Sequence, residues 1–454
     1  MHLSIENVGI IDSAEIKLDG VTVIAGSNSS GKSTIGKIVY AIATSLAESS
    51  PLKLLTEKIN SVNNEVKNLI KRYDVDFEIN FKIDEIIDFI EEVSYQVNLF
   101  EKQPISNEEI KNANVNFINK LINLLDEINS ILDSSDDSER DIENFLLNFD
   151  LGKIEEIARK DIYSDDLKYV VFQNVFNSEF NSQIRNITSN NEISHINFSE
   201  VNNNSIKLSF KENEISTDRS EIKINREFVR PLFIDNPSIL DEFAENGRHL
   251  LMPTRMKFNH KWYLYQVLRN VNTEENIFTQ EKNNRMIDQI LNEVIRGDIR
   301  IDGRKSYYQL SDTKIDSKLS LANLSTGMKS FSILSILKNS GVLGNAEYVI
   351  LDEPEIHLHP EWQLKYAELV VLLSKYFNVK FLVTSHSPYF IEAIELYSKR
   401  HLIGQKVNYY KSIQNNNNMN HYKLVDCTND LDLIYDDLAN SLFVLEELRN
   451  EEEE

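Results

Sequence analysis

The sequence predicts an α/β fold: a mixed sheet with flanking helices, carrying an inserted helical region. Three observations carry this. Alternating and continuous apolar runs of strand type open the chain and return after about residue 190. A glycine-rich loop joins one such strand to a helical pattern. Between about Glu48 and Asn190 the chain turns rich in Asn, Glu, Asp, Ile and Leu, with apolar residues at three- and four-residue spacing.

Taken in order, Leu3, Ile5, Val8 and Ile10 begin a β-like pattern, and Ala14–Leu18 alternates. Val21–Ala25 is a continuous apolar run, as a strand covered on both faces requires. After Thr34 the period becomes helical through Ile35, Ile38, Val39 and Ile42. In the inserted region, NFINKLINLLDEINSILD places Phe117, Leu121, Leu124, Leu125, Ile128, Ile131 and Leu132 on one helical face. DEIIDFIEEVSYQV and ERDIENFLLNF read alike, with a break near Ser134–Asp137. SIKLSF and EIKIN alternate as strands, IQNNNNMNH near 413–421 reads as a low-complexity loop, and Glu451–Glu454 as a solvated tail. The expected organisation is a first head segment at 1–47, a helical insertion at 48–190, a second head segment at 191–400 and a C-terminal extension at 401–454.

The composition narrows the function classes. Apolar residues make up 41 % of the 454, enough for a sizeable core. A single cysteine, Cys427, excludes an internal disulfide and predicts a reducing, cytoplasmic setting. Met1–Glu6 has no basic segment leading into an apolar one, so no signal peptide is expected. No apolar run approaches the roughly 18–20 residues of a membrane span, so no membrane partner is expected. A net charge of −24 excludes wholesale coating of nucleic acid. One stretch runs against it: Arg248–Thr273 lacks Asp and Glu but holds Arg248, Arg255, Lys257, Lys261, Arg269, His249 and His260. It reads either as a phosphate-facing surface for nucleic acid or as bases paired with acids elsewhere.

Four motifs carry chemistry. Gly26-Ser27-Asn28-Ser29-Ser30-Gly31-Lys32-Ser33 fits G-x-x-x-x-G-K-[ST] and stands between a strand and a helix. The glycines let the backbone turn its amides inward, and those amides with the helix N-terminus cradle phosphates. Lys32 supplies a point charge and Ser33 a hydroxyl for Mg²⁺. Tyr348-Val349-Ile350-Leu351 is a buried-type strand ending in Asp352-Glu353, where Asp352 can hold Mg²⁺ through water and Glu353 can polarise an attacking water. Upstream, Leu324-Ser325-Thr326-Gly327-Met328-Lys329 aims a serine hydroxyl and the Gly327 amide from a helix N-terminus. Last, the strand Phe381–Thr384 is followed by His386.

In this order the four elements resemble the ABC-type ATPases of the SMC, RecF and OLD branch, over roughly 1–45 and 230–400. The chain is similar in D-E-P-E-x-H-L-H-P (Asp352–Pro360) and T-S-H-S-P (Thr384–Pro388) to stand-alone bacterial ATPases of that branch, many of which serve anti-phage defence. LFIDNPSIL and LLMPTR look most like the Septu ATPase subunits (PtuA), which act with an HNH nuclease. The resemblance implies an ABC/SMC-type head that binds and hydrolyses ATP with Mg²⁺. It implies nucleotide contacts from Gly26, Asn28, Ser29, Ser30, Gly31, Lys32, Ser33, Thr34, Ser325 and Gly327. Ser33 and Asp352 would serve the metal, and Glu353, Lys32 and His386 the chemistry, with His386 facing the γ-phosphate. One phosphate loop and one signature per chain imply a two-chain ATP sandwich. The glutamine-loop residue is not placed; Gln173 and Gln183 are the candidates.

Alternatives stay open. A RecF/SMC-like DNA-repair ATPase or a transporter ATPase subunit shares the motifs, although the long insertion tells against the transporter. OLD nucleases add a metal-binding D-x-D pair, and Asp430-Leu431-Asp432 and Asp436-Asp437 occur here. No strand ending in Glu-Gly accompanies them, so a solvated helix face is expected, with no nuclease in this chain. His357 and His359 resemble a metal pair but are expected to be structural.

Overall fold

The computed structural model describes residues 1–72, 77–100, 105–134, 141–186, 192–200, 204–243, 257–271, 285–302, 305–310, 318–415, 418–436 and 449. In chain order the elements are β1 (His2–Val8), β2 (Ile11–Lys17), β3 (Val21–Ala25), α1 (Lys32–Glu48), α2 (Pro51–Arg72), α3 (Phe77–Phe100), α4 (Asn107–Ser134), α5 (Asp141–Arg159) and α6 (Asp165–Phe180). Then come β4 (Ile193–Ser199), β5 (Ser205–Lys211), β6 (Glu214–Ile215), β7 (Glu221–Lys223), β8 (Leu232–Ile234), α7 (His260–Arg269), α8 (Arg285–Ile295), β9 (Gly297–Asp302), β10 (Lys305–Leu310) and β11 (Lys318–Ser320). The chain closes with α9 (Thr326–Asn339), α10 (Val342–Asn345), β12 (Tyr348–Asp352), α11 (Pro360–Phe377), β13 (Lys380–Ser385), α12 (Pro388–Arg400), β14 (Val407–Asn415) and β15 (Asn418–Asp426).

Two compact units result: Met1–Ala47 with Phe172–Glu454, and Glu48–Val171. The first is built on a 12-stranded mixed sheet in the order β6-β5-β4-β1-β2-β15-β14-β3-β13-β12-β8, with β7 also on β5. Strands β14, β3, β13, β12 and β8 run parallel, while β1, β2, β4 and β5 form antiparallel pairs. Every residue of β3 is buried, whereas β2 alternates, as strands covered on two faces and on one face should. The parallel register sets Ser385 beside Ala25, Thr384 beside Asp352 and Ile234 beside Leu351. Four strand ends, those of β3, β13, β12 and β8, therefore open on one edge, where parallel sheets place ligands. A separate three-stranded sheet, β11-β10-β9, completes this unit.

The second unit is helical. Helix α2 packs on α3 and α5, and α4 packs on α3 and α5. Leu55, Ile59 and Val62 of α2, Ile83, Ile86 and Ile90 of α3, and Phe117, Leu121, Leu125 and Ile128 of α4 are all buried, so the apolar faces predicted for α3 and α4 are covered, and α2 adds one that was not predicted. One cation interrupts it: Lys58 is buried and donates to Asn114 Oδ1 at 2.9 Å.

Two boundaries differ from the sequence expectation. The helical unit closes at Val171 rather than 190, because Phe172 and Phe176 of α6 are buried in the head unit, with Phe176 5.1 Å from Phe210 ring to ring. The segment after 400 is not appended to the head. Strands β14 and β15 enter the sheet between β3 and β2, and in the asparagine-rich stretch read as a loop 413–415 and 418–421 belong to those strands, with Gln414 opposite Tyr422, while 416–417 lie outside the described residues. Asparagine supplies the ladder's N–H and C=O as any residue does, so composition concealed the pairing. The break near Ser134–Asp137 and the tail Glu451–Glu454 lie, apart from Ser134, outside the described residues.

Candidate functional site

The site grows from the loop between β3 and α1. Ser29 and Gly31 both take positive φ, 60° and 86°, a backbone conformation with which a loop can present its N–H groups to an anion. A side chain at Gly31 would meet Ile11 Cδ1 at 2.3 Å, and one at Gly26 would lie 2.9 Å from Ser30 Oγ, so both glycines are sterically required. The hairpin supports the loop from behind, since the Ser412 hydroxyl donates to Ser30 O at 2.7 Å. Asn28 and Ser29 are exposed on the crest, Ser30 is buried, and Thr34 lies in the first turn of α1.

Lys32 is 3 % exposed, and its Nζ lies 3.0 Å from Gly26 O, 2.7 Å from Ser27 O and 3.0 Å from Glu353 Oε1. Ser33 donates to Asp352 Oδ1 at 3.0 Å, and Thr384 donates to the same oxygen at 2.5 Å. Burial pushes the Asp352 carboxyl above the usual carboxylate range, and the charges of Glu353 and Asp235 add to that against the Thr384 and Ser33 hydrogen bonds. Such a crowd of acids beside a serine hydroxyl fits a hard cation with oxygen ligands, so Ser33 and Asp352 could hold Mg²⁺.

Glu353 has a φ of 49°, a left-handed conformation that a non-glycine residue keeps only when its surroundings impose it. Its N–H donates to Thr384 Oγ1 at 3.0 Å, and Lys32 meets its carboxylate. His386 stands across from it, with Nδ1 3.8 Å from Glu353 Oε1. The expected catalytic trio of Lys32, Glu353 and His386 is thus assembled, along with Ser33 and Asp352.

The signature does not join them. Ser325 caps α9, accepting from Met328 N at 3.3 Å, and is exposed. Gly327 is buried against the next loop, where an added Cβ would sit 3.1 Å from His357 O. Among the described residues, no hydrogen bond joins 324–329 to 26–34. Lys329 is occupied by Asp241 at 2.5 Å and Ala322 O at 3.0 Å.

Other candidates fall away or change role. Gln173 donates to Asn177 and Asn213 and accepts from Ile215 N, so it ties α6 to a strand turn. Gln183 is exposed after α6. His359 caps α11, accepting from Glu361 N, and His357 is exposed. No cluster of three or more His, Cys, Asp or Glu side chains placed to ligate a metal by themselves occurs among the described residues, so Asp430 and Asp432 have no such partner there. Within the basic stretch, 248–256 and 272–273 lie outside the described residues. In the rest, Lys261 pairs with Asp235 at 3.0 Å and His260 lies buried 2.6 Å from Glu179 Oε1, so these two bases face acids of their own chain.

Two acids were missed by sequence reasoning. Asp235 follows β8, like β12 an apolar strand that runs into an acid, and its charge reaches Asp352. Burial opposes its ionisation, but hydrogen bonds and charge from His260 and Lys261 hold it below the usual carboxylate range. The other, Glu355, is buried under His386. Its signal was a third acid within D-E-P-E, too close to Glu353 to be told from a turn.

A family model described as an AAA ATPase domain matches residues 1–391. The chain belongs to this ATPase family. No curated protein matches it. Among solved structures it is similar to the SMC head domain from Thermotoga maritima, at 11 % identity and a TM-score of 0.36, covering 94 % of this chain and 97 % of that one. It is also similar to an SmcHead bound to the C-winged helix domain of ScpA, at 11 % identity, a TM-score of 0.40 and coverage of 95 % and 98 %. A third is the Smc head domain with an extended coiled coil from Pyrococcus furiosus, bound to the C-terminal domain of ScpA, at 12 % identity, a TM-score of 0.33 and coverage of 99 % and 98 %. Likenesses of this size assign no role to any residue. Among the described residues, no helix is long and apolar enough to cross a membrane.

Proposed function

We propose that this AAA-family ATPase works as a nucleotide-driven switch, the ATPase subunit of a Septu-like anti-phage defence system acting on a separate effector nuclease of HNH type. The observation that carries the ATPase part is the convergence of Lys32, Ser33, Asp352, Glu353 and His386 on one sheet edge. The amides of Gly26–Ser33 would cradle the β- and γ-phosphates, with Asn28, Ser29, Ser30, Gly31 and Thr34 around them and Lys32 supplying charge. Ser33 and Asp352 would hold Mg²⁺, which neutralises phosphate charge when bound. Glu353 then orients and deprotonates the attacking water, and His386 faces the transferred phosphoryl group.

The exposed Ser325, without a hydrogen bond to its own phosphate loop, supports completion of each site by the signature of a second chain. Nucleotide would thereby control dimerisation, and dimerisation would control the partner. The partner nuclease rests on the resemblance alone. Co-purification of the chain with the products of its neighbouring genes, followed by nuclease assays with and without ATP, tests it. Cleavage by the complex and none by the chain alone is expected. Metal-dependent cutting by the isolated chain, lost on combined Asp430→Ala and Asp432→Ala substitution, would refute it.

A further inference from the structure

Glu355 is 2 % exposed, and burial pushes its carboxyl above the usual range. Among the described residues, no lysine or arginine pairs with it. A buried carboxylate without a strong cationic partner is costly, and it persists where its oxygen accepts hydrogen bonds that the turn would otherwise leave unmet.

All the contacts of Glu355 Oε1 go to one place, the turn between β13 and α12. The Ser385 hydroxyl donates to it at 2.6 Å, the His386 N–H at 2.9 Å, and His386 Nδ1 lies 3.7 Å away. The rest of the turn is braced outward from there. Ser387 N donates to Ser385 Oγ, Ser387 Oγ donates to Gln363, and Ser387 caps α12 by accepting from Phe390 N. The imidazole has no such brace. His386 Nδ1 and Glu355 Oε2 are both buried without a hydrogen bond, and Nδ1 stands almost midway between Glu355 Oε1 at 3.7 Å and Glu353 Oε1 at 3.8 Å.

We infer that Glu355 is the positioning residue for His386: its carboxylate fixes the backbone of the turn and presents an acceptor to Nδ1, aiming the opposite ring edge at the reacting phosphate. This rests on the ATPase reading above. Among the described residues, no hydrogen bond joins the Glu355 side chain to the phosphate loop or Lys32, so its loss should alter turnover and leave nucleotide binding alone.

The test uses the full chain with ATP and Mg²⁺, and a fluorescent ATP analogue for binding. Glu355→Ala should lower kcat at least tenfold while the dissociation constant stays within twofold. Glu355→Gln keeps an oxygen for the Ser385 hydroxyl and the His386 N–H, and should recover most of the loss. In a His386→Ala background, Glu355→Ala should cost less than twofold further, because the two act as one unit. If the alanine variant does not fold, Glu355→Asp, which withdraws the carboxylate by one methylene, takes its place with the same expected split. Unchanged kcat, equal loss of kcat and binding, or additive costs in the double variant would overturn the inference. Absence of turnover by the wild-type chain would instead overturn the ATPase reading itself.

Discussion

Lys32 Nζ lies 3.0 Å from Glu353 Oε1, so the cation of the phosphate loop and the acid that follows β12 neutralise each other across the site. Incoming phosphates must compete with Glu353 for that ammonium. Glu353→Gln removes the competitor's charge and should tighten ATP binding about tenfold, equivalent to ~1.4 kcal/mol. Titration with a fluorescent ATP analogue in Mg²⁺ measures it. Weaker binding by the variant would mean that the pair does not hold Lys32 back.

The signature predicts complementation. A Lys32→Ala chain keeps Ser325, and a Ser325→Arg chain keeps Lys32. Mixed, they should regain part of the wild-type ATPase rate, since one composite site per dimer would contain both residues. A rate equal to the sum of the separate variants would argue for sites built within one chain.

His260 is stacked on Phe233 at 4.4 Å and held between Glu179 Oε1 at 2.6 Å and Asp235 Oδ2 at 3.2 Å. Burial disfavours the imidazolium, but hydrogen bonds and charge from Asp235 and Glu179 raise its pKa above the ordinary 6.5. A raised folded value stabilises the native state fully below the unfolded value, and that contribution is lost as pH rises through the folded one. Thermal stability of the wild type should therefore fall on the alkaline side of pH 6.5, and in His260→Gln that fall should disappear. At pH 6 the variant, which leaves the Glu179 charge buried, should lose about 3 kcal/mol. Denaturation at several pH values reads both effects.

Lys58 gives the opposite sign in the helical unit. Burial lowers its pKa to about 8, with the charge of Asp161 opposing the shift. The unfolded lysine keeps its proton to higher pH, so stability of this unit should rise between about pH 8 and 10.5. Replacing both partners, Lys58→Met with Asn114→Leu, should stabilise it by about 1–3 kcal/mol at pH 7 and abolish the rise, because no polar group is left orphaned. Denaturant melts by circular dichroism check this. Destabilisation of the double variant would show that the pair specifies the packing.

What the sequence revealed was local. Gly26–Ser33, Asp352-Glu353 and His386 each sit at a strand end, and continuous apolar runs announce such strands. The apolar faces of α3 and α4 were legible for the same reason, period. Contacts made across the fold were not. Glu179, Asp235 and His260 come from α6, the end of β8 and α7, with no spacing that links them. Glu355 stood inside a recognised motif, yet its partners Ser385 and His386 lie on the next strand of the sheet and its turn. Strands β14 and β15 were hidden because their end is rich in Asn, a poor strand former, and only their other stretches, 407–411 and 422–423, pair with β3 and β2.

Steady-state phosphate release from ATP and Mg²⁺, by the wild-type chain and by Glu353→Gln at saturating nucleotide, tests the account most directly. The base assigned to Glu353 contributes through proton transfer and water orientation, effects of about 10²–10⁴-fold. Measurable turnover by the wild type and at least a hundredfold loss in the variant, with nucleotide still bound, are expected. Equal rates in the two proteins would contradict the assignment.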